Sequence, residues 1–265
     1  MSRWKLLVTT VPFVIVILAV ALLRDALKIP GVVEFGDIAA ITTAVALIIG
    51  FMYAGVSADY KESERLPGEL AACLETLLDA AISTDILSDE PEAKPLRARV
   101  VALARVVEAW LLRHTSVAEC YAALQTFNEY YIPRVHRFAG MTPATRAQGE
   151  IHNLRRAITR VDVLRRTSFI QSGYALLDVM VGAAVVLLLA ANYKNVWVEY
   201  LIVGFLSFVY LYLIRLIRDL DNPFDYAITG HHPGSTEVDP FPIIEFCQRA
   251  EKAEGSGQKA EGSQP

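Results

Sequence analysis

The chain has 265 residues, 54% of them apolar and 20% charged, a formal net charge of −4 and a mean hydropathy of +0.35. This is too apolar and too sparsely charged for an ordinary soluble domain, and the acidic balance excludes a nucleic-acid partner. The three cysteines, Cys73, Cys120 and Cys247, are far apart with no CxxC spacing, which excludes a disulfide framework and predicts free thiols.

Leu6 to Leu23 is an apolar run without a charge, preceded by Arg3 and Lys5. Ala19-Val20-Ala21 has the form of a signal-peptidase site, but the apolar stretch runs past it, which favours a retained helix. Ile38 to Val56 is a second uncharged run. At about 1.5 Å per residue, both approach the ~30 Å hydrocarbon core of a bilayer. Thr43, Leu47 and Phe51 fall on one face of this second run at i, i+4, i+8 spacing. Such a face packs on a neighbour or faces lipid; around an axis of several copies it makes a hydrophobic gate.

Residues 57–171 are too many for a loop and read as helices. Val100, Leu103, Ala104, Val107, Trp110 and Leu111 follow helical spacing after Pro91 and Pro95. Ser116 and Glu119 have capping-box spacing and start a helix bearing Val117, Tyr121, Leu124 and Tyr131, which Pro133 ends or kinks. Thr142-Pro143 reads as the start of another helix. Its apolar stripe is Ile151, Leu154, Ile158 and Val161, and it is long enough to run straight into the next span.

The third run, Gly173 to Tyr193, is broken only by Asp178, and the fourth, Val196 to Ile214, only by Glu199. The short turn between them makes an antiparallel hairpin. An acid at the depth of Asp178 is costly unless it faces protein or water. It is either part of a pore, ion site or proton relay, or a group near the interface that pairs with an arginine such as Arg165 or with a neighbouring helix. Tyr193, Trp197 and Tyr200 suit an interfacial aromatic belt, and the distribution of Lys and Arg puts both termini and the central segment in the cytoplasm.

After the fourth run comes RDLDNPFDY, Arg218 to Tyr226. Asn222-Pro223 stops the helix and Phe224 packs back on the bundle. Asp219, Asp221 and Asp225 either offset nearby arginines, line a path, or are solvated. Their spacing is not that of a calcium loop. His231 and His232 read as a solvated loop with no metal cluster around them. The tail from 252 is expected to be disordered. No phosphate loop, zinc motif or nucleophile motif appears, so neither a catalytic residue nor a cofactor is expected.

LDNPF after the last span resembles the bestrophins and the bacterial bestrophin-like proteins. LIIGFMY in the second span and SADYKESERLPGEL after it agree. The paired aromatics usual after the second helix are replaced by Tyr60, Lys61 and Glu62, and a longer loop follows Asp225 and Tyr226, which marks a divergent member. The resemblance implies an all-α polytopic membrane protein with four transmembrane helices and a helical cytoplasmic domain between the second and third. Its segments are 1–56, the first helix pair; 57–171, the cytoplasmic domain; 172–218, the second hairpin; 219–251, the post-helix segment; and 252–265, the tail. It implies a homopentamer in the plasma membrane, the bacterial inner membrane, with Thr43, Leu47 and Phe51 as a hydrophobic neck and inorganic ions as the permeant species. The post-helix motif is Asp221, Asn222, Pro223 and Phe224. The other functions compatible with the residues are a proton-driven stator using Asp178 and a non-conducting scaffold or sensor.

Overall fold

A computed structural model describes residues 4–88, 95–167, 171–226 and 236–261. Arg3, Pro91, His231 and His232 therefore lie outside the described residues. The elements run α1 (Lys5–Ala26), β1 (Val33–Glu34), α2 (Phe35–Ser63), α3 (Leu66–Leu87), α4 (Pro95–Leu111), α5 (Val117–Ala139), α6 (Met141–Arg166), α7 (Gln171–Ala190), β2 (Ala191–Asn192), α8 (Val196–Leu220) and α9 (Phe241–Glu261). Among the described residues, four helices are long and apolar enough to cross a membrane: α1, the helix starting at Phe35, α7 and α8. Helices are the form in which an apolar segment satisfies its own backbone in lipid. The chain is an all-α membrane protein apart from one short pairing between β1 and β2 among the described residues.

The chain divides into two compact units. The first holds α1, most of α2, α7 and α8. Its core runs along one face of α2, through Ile38, Val45, Ile49, Met52 and Val56, at spacings of three, four and seven residues. Leu177, Val181, Ala184 and Leu188 of α7 and Val203, Tyr210, Ile214 and Ile217 of α8 complete it. The Tyr210 hydroxyl donates to the Thr42 carbonyl oxygen at 2.8 Å, satisfying a phenol that is buried in this core. β1 and β2 pair in parallel, Val33 with Ala191 and Glu34 with Asn192. Gly31 makes this approach possible, since a Cβ there would lie 2.7 Å from the Ala191 carbonyl oxygen.

The second unit comprises Lys61–Thr167 and the described residues from Phe224 onward, Thr236 excepted. α3 packs on α4, α5, α6 and α9, α5 packs on α4 and α6, and α4 also packs on α9. The stripe predicted on α4 is buried, with Val100, Leu103, Ala104, Val107, Trp110 and Leu111 all inside. So is the α6 stripe of Ile151, Leu154, Ile158 and Val161. The Ser116–Glu119 capping box forms in both directions. Tyr131 is buried and its hydroxyl donates to the Leu77 carbonyl oxygen at 2.5 Å.

Pro133 lies inside α5, which continues to Ala139, so it does not end that helix. Three local expectations differ from the structure. α6 starts at Met141, ahead of Thr142-Pro143. Its N-cap is Gly140, whose φ of 93° suits only a residue without a Cβ. α6 does not run into α7: Thr167 turns extended after Arg166. α9 continues past residue 252 to Glu261, over a stretch expected to be disordered. Its Lys, Ala, Glu and Gln residues are good helix formers even where no apolar stripe exists.

Candidate functional site

The face of α2 opposite its packed side carries Thr43, Leu47 and Phe51. All three are exposed in the single chain, Leu47 by 60% and Phe51 by 69% of their surface. The geometry follows from helix period. Val45 and Ile49 point to the core, and residues two positions away from each point about 160° around the helix. Ala40, Ala46, Gly50 and Ala54 are also exposed on this outer side, so its relief is small residues punctuated by two bulky ones. The Thr43 hydroxyl donates to the Ala39 carbonyl oxygen at 2.8 Å, so it presents its methyl and one oxygen rather than a free donor. Such a face suits close helix packing or a narrow apolar constriction.

Asp178 does not pair with Arg165. Its carboxylate accepts from Arg218 of α8, with both side chains half exposed. Arg165 belongs to the second unit. It is enclosed there, donating to the Trp110 carbonyl oxygen at 3.2 Å and to the Leu111 carbonyl oxygen. Its guanidinium also lies over the Trp110 and Phe224 rings. Burial pulls the guanidinium down to about 10, so it stays charged at neutral pH.

The post-helix motif separates into parts. α8 ends at Leu220 and the Asp221 N–H donates to the Ile217 carbonyl oxygen at 3.1 Å. Asn222 is exposed, whereas Pro223 and Phe224 are buried. Phe224 packs edge-on to Tyr226, ring centres 6.5 Å apart, and the Tyr226 hydroxyl donates to the Val238 carbonyl oxygen at 2.8 Å. The acids disperse: Asp219 accepts from Thr236, Asp221 lies beside Tyr174, and Asp225 pairs with Arg113. Among the described residues no group of three or more potential metal-binding side chains comes together.

One cluster was not anticipated from the sequence. Glu199, read only as a break at the start of the fourth span, is 3% exposed and ion-paired with Arg24 of α1. Arg24 also donates to the Leu189 carbonyl oxygen at 2.5 Å and the Ala191 carbonyl oxygen at 3.1 Å, and pairs with Asp25 at 2.9 Å. Tyr200 donates to Asp25 at 2.8 Å, so this expected belt residue also ties α8 to α1. The available signal was two charges, one in each span, close to the same end of the hairpins.

No protein-family model matches the sequence, and no curated protein matches it. Solved structures do. A bacterial bestrophin homologue from Klebsiella pneumoniae, in a tryptophan-to-alanine variant, aligns with a TM-score of 0.72 at 14% identity, covering 95% of this chain and 96% of that one. The same homologue phased on zinc aligns with a TM-score of 0.68 at 14% identity, over 95% and 96% of the two chains. A leucine-to-threonine variant gives 0.69 at 14% identity, over 95% and 97%. The chain has the bestrophin fold. At this identity the likeness is one of architecture. In this chain the Thr43–Phe51 face of α2 is uncovered by the rest of the chain.

Proposed function

We propose that this bestrophin-like membrane protein is a passive ion channel and not an enzyme. In this reading several copies, five by the family resemblance, surround an axis in a bacterial inner membrane, with both termini and the second unit in the cytoplasm. α2 lines the passage, and Thr43, Leu47 and Phe51 form its hydrophobic neck. The observation that carries the reading is the exposed face of α2: two bulky apolar side chains and a threonine project away from a fully packed opposite side. A ring of such faces controls ions by wetting and dewetting. The Asp178–Arg218 pair weighs against the stator alternative, because a relay acid needs to exchange protons with water instead of holding a guanidinium.

The test is ion flux through vesicles holding the purified protein, with monovalent cation and anion gradients run separately. Flux that rises when Phe51→Ala widens the neck supports the channel. A folded oligomer that passes neither ion, before and after the substitution, leaves the scaffold reading in its place.

A further inference from the structure

A groove of 660 Å³ opens on the side of the first unit, between α1, α7 and α8. Its length is apolar: Phe13 and Val16 of α1, Val181 and Val185 of α7, and Leu211 of α8 line it. One end is charged, with Arg215 and Arg218 of α8 set against a single carboxylate, Asp178. Arg218 is engaged by Asp178. Arg215 donates to the Thr10 hydroxyl at 3.2 Å and lies 4.4 Å from the centre of the Phe13 ring, and no carboxylate pairs with it among the described residues. Gly182 lies in the groove, and a Cβ added there meets nothing within 4 Å.

We propose that this groove holds an anionic phospholipid, its phosphate on Arg215 and one acyl chain along the apolar wall. Charge and shape complementarity both point to it. A guanidinium with no anionic partner is costly beside hydrocarbon, and a phosphodiester supplies a counter-charge that accepts a bidentate contact. The apolar wall begins within the same groove, so headgroup and chain are met by one continuous surface. Basic recesses between membrane helices bind acidic headgroups on these grounds. The inference rests on the membrane placement of α1, α7 and α8 and is independent of whether α2 conducts.

Native mass spectrometry of the intact protein in detergent, with phosphatidylglycerol and phosphatidylcholine of identical chains added, tests it. Wild-type protein retains phosphatidylglycerol in preference to phosphatidylcholine. Arg215→Gln lowers retention of phosphatidylglycerol by about fivefold, the worth of one basic residue near a lipid surface, and Arg215→Lys restores much of it. Gly182→Leu, which fills the open space beside the wall, lowers retention of both lipids. Unaltered elution on size exclusion and an unaltered helical circular dichroism signal establish folding; should Arg215→Gln fail to fold, Gly182→Leu carries the test alone. Equal retention of the two lipids, or retention indifferent to both substitutions, overturns the proposal. So does loss with Arg215→Gln but not with Gly182→Leu, which marks a site for a free anion. A change of oligomer mass with Gly182→Leu also overturns it, because a second copy of the chain then occupies the groove.

Discussion

The guanidinium carbon of Arg165 lies 5.7 Å from the centre of the Phe224 ring. The same group caps the carbonyls at the end of α4. Through this contact the residue after the α8 proline stop is held inside the second unit. Phe224→Ala removes a fully buried ring and is expected to cost about 3–5 kcal/mol. Arg165→Lys keeps the charge but loses the planar fork that reaches both carbonyls, so it does not behave as a conservative change. Thermal unfolding of the two variants in one detergent checks both: each melts below wild type.

Glu199 and Arg24 join α8 to α1 where both side chains are largely enclosed. Arg24→Met leaves the Glu199 carboxylate buried without its partner, at a cost of about 3–5 kcal/mol, and melts well below wild type. Glu199→Leu costs less, because Arg24 keeps Asp25 and the Leu189 and Ala191 carbonyl oxygens. The double change Glu199→Leu with Arg24→Met recovers much of the loss, measured by the same unfolding.

Ser116→Ala removes one arm of the capping box on α5. Its side chain accepts from the Glu119 N–H at 3.2 Å, and Glu119 reaches back to the Ser116 N–H at 2.8 Å. The expected cost is about 1 kcal/mol, read as a small drop in unfolding temperature.

Burial pushes the Cys120 and Cys247 thiols up to about 12. They stay protonated at neutral pH, so a maleimide leaves them unmodified in the native protein and modifies them once it is unfolded. The linkage has a definite sign. Between pH 9 and about 12 the unfolded thiols have lost their protons while the folded ones keep theirs, so stability falls as pH rises through that window.

Much of this architecture was legible because helix periodicity and bilayer thickness leave strong marks on a sequence. The uncharged runs, the stripes on α4 and α6 and the Ser116–Glu119 box are all local patterns. That Thr43, Leu47 and Phe51 share a face followed from spacing; which side of α2 is packed did not. Long-range pairings left no such mark. Asp178 finds Arg218, 40 residues away, and Arg24 finds Glu199, 175 residues away. Only the packing of the helices decides which of several arginines reaches which acid. The two-residue pairing of β1 with β2 is too short for any alternation to announce it. Gly140 starts α6 by a positive φ, a device that the neighbouring Thr142-Pro143 masks in the sequence.

Water access along α2 tests the central claim most directly. Single substitutions Thr43→Cys, Leu47→Cys and Phe51→Cys, with Ile49→Cys and Leu201→Cys for comparison, are treated in reconstituted vesicles with a charged, membrane-impermeant thiol reagent. The channel account predicts modification at 43, 47 and 51, slowest at the neck's narrowest point, and none at the packed Ile49 or at Leu201, which is exposed in the single chain and on this account meets lipid. Protection of all three α2 positions in the folded oligomer contradicts it, since that face then meets lipid or protein and no aqueous passage runs beside it.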